Sequence, residues 1–312
     1  MAARIRRLRD LDVNDIVEIS RHVWEGHDYL PSVAHQWLHD PNSYFYGVEV
    51  QGRIVAVANI EVIEDGRTGW MEGLRVHPDY RGRGFAKDLT RYFVKKAETL
   101  GLQRLRYTTS STNVASLKLA KMNGFSRILR MAVCWHFKLK PMPNDTEYTP
   151  IRKQSPKRAC SLLATKPHII PHGVLIYDWK ALDNTCKNIQ DIGKTHTFHI
   201  ALKNEKIDSL SFGHVREEPS STWSFTTYAN DSLGFLSQLH HNVAIALNNG
   251  LTSIACTYET KFVKTLDEMY SGSEERDETR LVLLEKKMRL RKRCNNRDTK
   301  IASARAEQIE AL

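Results

Sequence analysis

A strand that runs into a helix through Arg81-Gly82-Arg83-Gly84-Phe85-Ala86 constrains this chain more than any other stretch. Trp70 to Val76 carries the strand, and Pro78 stops it, because proline cannot donate to a sheet ladder. Beyond the glycines, Leu89, Phe93, Ala97 and Leu100 recur at helical spacing until Gly101 ends the helix. Such a junction is an anion site. The N–H groups of the loop and first turn point one way, and the helix dipole adds partial positive charge. Gly82 and Gly84 let the backbone approach a ligand closely, and Arg81 and Arg83 bring charge suited to phosphate. No Lys-Ser/Thr pair follows, so the loop is not of the Walker type, and the GxGxxG spacing is absent as well. An ordinary tight strand-to-helix turn is the plain alternative.

The 312 residues are enough for two domains, and a hydrophobic content of 41% supports real cores. The net charge of +10 suits acidic ligands such as phosphates. No nucleic-acid reading motif accompanies it, so nucleic acid is not an expected partner. No apolar run approaches a membrane span, so no membrane partner is expected either. Cys134, Cys160, Cys186, Cys256 and Cys294 are odd in number, scattered, and without a CxxC pair. Neither a metal site nor a disulfide framework is expected, and a reducing, cytoplasmic setting follows. Arg4, Arg6, Arg7 and Arg9 do not make a transit peptide, since Asp10, Asp12 and Asp15 follow at once.

Taken in order, Ile5 and Leu8 begin an edge strand, and Asp12 or Asn14 caps a first helix. Trp24 to Pro31 reads as a loop, and residues 32–39 as a second helix. Tyr44 to Val50 and Ile54 to Ile63 form a hairpin that leads through Asp65-Gly66 into the central strand. After the long helix come a strand at Leu105–Thr109, a helix opened by Thr112 or Asn113 and closed by Gly124, and a strand to Phe137. The order is strand, two helices, three strands, helix, strand, helix, strand.

Arg81-x-x-Gly84-x-Ala86 resembles the pyrophosphate loop of the GNAT acetyltransferases. Asn113, Ser116, Leu119, Gly124 and Phe125 stand at the spacing of that family's second signature. The resemblance implies an α/β (α+β) fold with a mixed central sheet over residues 1–140, and acetyl-CoA as co-substrate. The cofactor positions it implies are Leu74, Arg75, Val76, Arg81, Gly82, Arg83, Gly84, Phe85, Ala86, Asn113 and Ser116. Gly26-x-Asp28-Tyr29-Leu30-Pro31, Trp37-Leu38-x-Asp40 and Glu72-Gly73-Leu74-Arg75-Val76 narrow the match to the histidine N-acetyltransferase group. The implied reaction moves acetyl from acetyl-CoA to the α-amine of a free amino acid such as histidine. A protein N-terminus or lysine is the alternative acceptor, and a non-catalytic CoA-binding scaffold is the alternative class.

Pro141, Pro143, Pro150 and Pro156 mark residues 141–159 as a linker. Residues 160–272 repeat the earlier pattern: a hairpin at 195–212, a strand at Trp223–Thr227, a helix from Leu233 to Leu247, a strand at Ile254–Tyr258 and a short helix. This half is expected to be a degenerate GNAT-like domain, with an unrelated α+β domain as the alternative. Its own junction, Ala229 to Gly234, has no arginine and carries Asp231, so it should not hold CoA. Completing the core, walling the acceptor pocket or joining a homodimer are the roles open to it. Residues 273–312 are expected to form a charged helix or disordered tail.

The acceptor amine must be neutral to attack a thioester, and an α-amine has a pKa of roughly 8. A base of modest strength suffices, and Glu72 on the central strand is the candidate. The alternative is that Glu72 only pairs with Arg75 or Arg106. Backbone N–H groups near Leu74 and Val76 are placed to polarise the carbonyl, as in related enzymes. The resemblance puts a tyrosine acid at position 120, where this chain has Ala120. Tyr107 is the replacement candidate, unless the thiolate leaves unassisted. His27, Asp28 and Tyr29 lie in the loop that covers the acceptor in this family, with Asp28 suited to an ammonium or imidazolium group.

Overall fold

A computed structural model describes residues 3–23, 26–141, 148–217, 221–269 and 276–288. The first half follows the expected order: β1 (Ala3–Arg7), α1 (Val13–Ser20), α2 (Leu30–His39), β2 (Tyr46–Val50), β3 (Arg53–Ile63), β4 (Thr68–Val76), α3 (Phe85–Leu100), β5 (Arg104–Ser110), α4 (Val114–Met122) and β6 (Ser126–Phe137). The second half comprises β7 (Ile151–Gln154), α5 (Pro156–Thr165), β8 (Val174–Tyr177), β9 (Lys180–Asp183), α6 (Cys186–Ile192), β10 (Thr197–Lys203), β11 (Lys206–Arg216), β12 (Thr222–Ala229), α7 (Ser232–Asn248), β13 (Ser253–Glu259), α8 (Val263–Met269) and β14 (Arg276–Lys287).

Twelve of these strands form one mixed sheet in the order β1-β2-β3-β4-β5-β14-β6-β13-β12-β11-β10-β7. The pattern of pairing along it is symmetric about the centre. β4 and β5 pair in parallel, as do β12 and β13, and the other neighbours in the sheet are antiparallel. Each half places its last strand against the other: β14 lies between β5 and β6, and β6 lies between β14 and β13.

Strand alternation divides the core into layers. Val282 and Leu284 point to one face, where Leu89, Phe93 and Ala97 of α3 pack against β2 to β5. Phe235, Leu239 and Val243 of α7 cover the same face over the second half. Leu281 and Leu283 point to the opposite face, into a core shared by Trp70, Leu129, Met131, α5, α6 and the β8–β9 hairpin. On that second face α1 and α2 bury Ile16, Ile19, Leu30 and Trp37 against Ile54 and Val57 of β3.

Three expectations are corrected here. The segment after residue 273 is not a tail throughout, because Arg276–Lys287 is a central strand. Leu281 to Leu284 are all buried, so the run lacks the alternation of a half-exposed strand. The basic residues beyond 288 lie outside the described residues. The linker assigned to 141–159 is also shorter, since β7 pairs with β10 and α5 starts at Pro156, capped by Ser155. Lastly, Cys160 and Cys186 form a disulfide between α5 and α6, with their Cα atoms 5.3 Å apart. Sequence separation hid that pairing. Cys134 and Cys256 oppose one another on β6 and β13, both buried.

A buried charge cluster fixes the β8–β9 hairpin over the first half. Arg106 donates to Glu285 of β14 and to Asp183 of β9, each at 2.8 Å. Arg104 bridges Glu64 and Asp183, and Asn188 of α6 donates to Glu64 Oε1 at 2.9 Å. Charges this buried persist because each is paired and hydrogen-bonded.

Candidate active site

β4 and β5 run together only from Thr68 to Trp70, opposite Arg104 to Arg106, and then separate. The separation leaves β4 and β5 unpaired with each other beyond Trp70. β4 bends there: Gly73 has φ +65°, and Leu74 has no partner in the β3 register. A side chain at Gly73 would strike Trp37, whose ring lies 2.7 Å from the Cβ position, so this bend requires glycine.

Glu72 stands on β4 just past the split, opposite Asn59 on β3. Asn59 Nδ2 donates to Glu72 Oε1 at 3.4 Å. Burial pushes the Glu72 carboxyl up to about 7; Lys180 pulls down, Glu61 pushes up, and hydrogen bonds from Asn59 and Trp70 pull down in part. The net result is a base poised near neutrality. Neither expected arginine pairs with it: Arg75 binds Asp28, and Arg106 binds Glu285 and Asp183.

The acceptor loop is placed differently from its three sequence candidates taken together. Arg75 donates through Nε and Nη2 to both oxygens of Asp28, at 2.8 and 3.0 Å, and only 1% of the Asp28 side chain is exposed. Asp28 is therefore committed to Arg75 instead of standing ready for an acceptor cation. Tyr29 packs edge-on to Trp37 and lies beneath the Arg75 guanidinium. Its hydroxyl reaches the Gly73 backbone, and burial pushes its pKa up to about 12. His27 is exposed on the loop.

The far wall comes from the second half. Lys180 at the start of β9 forms an ion pair with Glu61. Tyr177 at the end of β8 is half-buried, and burial together with Glu61, Asp178, Glu72 and Glu64 raises its pKa. Sequence reasoning passed over Tyr177 and Lys180, because the four-residue strands of their hairpin give too short a pattern to read. Asn59 was legible in principle, being fixed opposite Glu72 by hairpin register.

On the opposite face, Tyr107 lies one residue beyond the last β4–β5 pair. Its hydroxyl donates to the Ser116 carbonyl at 3.3 Å, its ring packs edge-on to Phe125, and burial raises its pKa. Ala120 is packed into the apolar core. Asn113 caps α4 by accepting from the Ser116 N–H at 3.1 Å.

The Arg81–Ala86 loop suits a pyrophosphate. Gly82 and Gly84 have φ of +78° and +91°, with open space at both Cβ positions. Gly84 caps α3 without any side-chain cap, so the first-turn N–H groups keep their free direction. Arg81 is held by the Val76 carbonyl at 3.3 Å, and Arg83 by Asp79 O at 3.0 Å. Both arginines are exposed beside the loop. Leu74, Arg75 and Val76 lie on β4 between Glu72 and this loop, with Arg75 held by Asp28.

Residues 12–125 match the Acetyltransferase (GNAT) family. A histidine N-acetyltransferase of Oreochromis niloticus is 38% identical over 81 residues, 26% of this chain and 24% of that protein. The human probable N-acetyltransferase 16 is 38% identical over 81 residues, 26% of this chain and 22% of that protein. The matched stretch thus spans about a quarter of these curated relatives' length. A GCN5-related N-acetyltransferase structure from Sphaerobacter thermophilus aligns with TM-score 0.61 at 12% identity, covering 92% of this chain and 96% of that one. A structure described as an acetyltransferase from Thermoplasma acidophilum aligns with TM-score 0.57 at 16% identity, over 91% and 99%. Likeness at that identity speaks for the fold. No helix among the described residues is long and apolar enough to cross a membrane.

Proposed function

We propose that this chain, whose residues 12–125 form a GNAT acetyltransferase domain, moves acetyl from acetyl-CoA to the amine of a small molecule, with the α-amine of a free amino acid as the leading acceptor. The observation that carries the reading is Glu72, a half-buried carboxyl raised to about 7 at the β4–β5 split. Such a group removes a proton from an ammonium ion at neutral pH.

The thioester supplies an activated acetyl group. Arg81 to Ala86 would hold the pyrophosphate through backbone N–H groups and two guanidinium groups. The backbone at Leu74 and Val76 would polarise the carbonyl. Glu72 takes the ammonium proton and passes it to solvent, the neutral nitrogen forms the C–N bond, the C–S bond breaks, and the nitrogen gives up its second proton to Glu72 as the amide forms. The leaving thiolate has a pKa near 8.5, so it departs with little help. Tyr107, protonated on the other side of the sheet, is the proton source in reach of that face.

Small acceptors are favoured over protein ones because the β8–β9 hairpin walls the Glu72 side. Lys180, ion-paired with Glu61, forms part of that wall. The curated relatives named for histidine N-acetyl transfer make histidine the first acceptor to try.

The same proposal treats the second half as a repeat of the first that lacks a CoA site. The symmetric pairing pattern supports this. β12 and β13 stay paired through Trp223–Thr227, where β4 and β5 of the first half separate. Asp231 caps α7 by accepting from the Gly234 N–H at 2.8 Å, placing a carboxylate where an anion would bind.

Free-thiol release from acetyl-CoA, measured across the common amino acids, polyamines and a peptide pool, tests the reading. Turnover on an amino acid supports it. Turnover on peptides alone moves the acceptor to protein, and CoA binding without turnover on any amine overturns the enzymatic reading.

A further inference from the structure

Beside the acceptor wall, three side chains from separate segments converge on one point. Asp178 occupies the two-residue turn between β8 and β9, with φ +41°. His196 immediately precedes β10, and His214 lies on β11. His214 Nε2 is 2.7 Å from Asp178 Oδ2, and His196 Nε2 is 3.5 Å from the same oxygen. The two imidazole centroids are 4.2 Å apart. One ligand atom from each of the three residues falls within 4.8 Å of the others.

The surroundings orient these atoms inward. His196 Nδ1 is hydrogen-bonded to Thr195 Oγ1 at 2.8 Å, which leaves Nε2 to face the cluster. Ser224 Oγ donates to Asp178 Oδ1 at 3.0 Å, which leaves Oδ2 free to turn inward. His214 Nε2 is buried and makes no hydrogen bond of acceptable geometry despite its short approach to Asp178. Partners of this kind on the outer atoms are what fix ligating side chains around a metal. Burial is graded: the His196 side chain is 5% exposed, His214 24% and Asp178 31%. The point of convergence is therefore open to solvent on the Asp178 side.

We propose that Asp178, His196 and His214 bind a divalent transition-metal ion of the zinc class, with a fourth position open to water or a ligand. Zinc takes imidazole nitrogen and carboxylate oxygen at about 2.0–2.2 Å in tetrahedral geometry, so neighbouring ligand atoms stand roughly 3.3–3.5 Å apart. His196 and Asp178 already have that separation. His214 and Asp178 reach it by a small rotation of the carboxylate. Both imidazole Nε2 atoms are aimed at one carboxylate oxygen, and a cation between them satisfies all three ligands. The ion would also anchor the hairpin that presents Tyr177 and Lys180 on the Glu72 side. This inference stands apart from acetyl transfer and holds whatever the acceptor is.

The test uses the full chain stripped with a chelator and dialysed against Zn2+ alone, with bound metal measured by elemental analysis. Substituting Co2+ reports geometry through its visible absorption. The expected result is one ion per chain, tetrahedral cobalt bands, and a melting temperature raised by Zn2+. Asp178→Asn keeps the shape, and asparagine tolerates the positive φ. It is expected to weaken Zn2+ at least about tenfold and abolish the thermal shift. His214→Gln, at the more exposed edge, gives the same loss should Asp178→Asn fold poorly. The exposed Asp10, His35 and His39 group is the competing surface site. A His35→Ala, His39→Ala double variant must therefore retain the ion. No uptake by the unmodified chain overturns the proposal, as does uptake indifferent to Asp178→Asn and His214→Gln or lost in the double variant.

Discussion

Arg75 on β4 grips both carboxylate oxygens of Asp28, at 2.8 and 3.0 Å, and so ties the loop before α2 to the strand that carries Glu72. The pair is almost wholly buried, with Asp28 at 1% exposure. Removing one member leaves the other charged in a dry site, which costs about 3–5 kcal/mol. Asp28→Asn is expected to lose about 3 kcal/mol in urea unfolding and to raise the KM for the acceptor more than that for acetyl-CoA. A stability unchanged within about 0.5 kcal/mol would mean that the pair does not form.

The glycine loop predicts the reverse kinetic pattern. Arg81→Ala with Arg83→Ala removes two guanidinium groups while leaving the backbone cradle. The KM for acetyl-CoA should rise about tenfold, equivalent to about 1.4 kcal/mol, with little change for the acceptor. Initial rates at varied acetyl-CoA decide this. An equal rise in both KM values would place the arginines elsewhere in the reaction.

Tyr107 offers a milder test, because a thiolate needs little help to leave. Tyr107→Phe is expected to lower kcat by up to about tenfold, below the range of a full general acid, and to leave both KM values near normal. A loss of a thousandfold or more would make Tyr107 essential and not merely assisting.

The strand exchange makes the chain inseparable. Truncation after residue 275 removes β14, and with it the burial of Leu281, Val282, Leu283 and Leu284. At about 2 kcal/mol per buried side chain, that loss of about 8 kcal/mol is comparable to the whole stability of a domain. The truncated chain is expected to be insoluble or unfolded by circular dichroism. A soluble, active product would show β14 to be dispensable.

The first half was legible because each of its elements declares itself locally. Pro78 and Gly84 bracket the loop, Gly101 closes α3 in a left-handed cap, and Leu89, Phe93 and Ala97 keep helical period. Glu72 was chosen because it lies on the central strand, near where that strand must splay. Its surroundings were not legible, since Lys180 and Tyr177 arrive from more than a hundred residues away on strands of four residues. β14 escaped for a different reason. Leu281 to Leu284 are buried on both faces, so the run has no period, and acidic and basic neighbours on either side disguise it as surface. Asp28 was assigned to a ligand because nothing local reveals that Arg75, 47 residues on, takes it. Cys160 and Cys186 were read as unpaired for the same reason.

The raised pKa of Glu72 also sets a stability trend. The carboxyl holds its proton to about pH 7 in the folded chain, and to about 4.3 when unfolded. Between those values the folded state binds more protons, so this group's contribution to stability falls as pH rises through the window. Glu72→Gln should therefore gain about 3–4 kcal/mol over the unmodified chain at pH 8, with little difference at pH 4.

The measurement that reaches the central claim most directly is the pH dependence of kcat for acetyl transfer, in the unmodified chain and in Glu72→Gln. The unmodified rate should climb through an apparent pKa near 7. Glu72→Gln should lose at least about a hundredfold and the inflection with it. A Glu72→Gln enzyme that keeps both the rate and the inflection would contradict the assignment of Glu72 as the base.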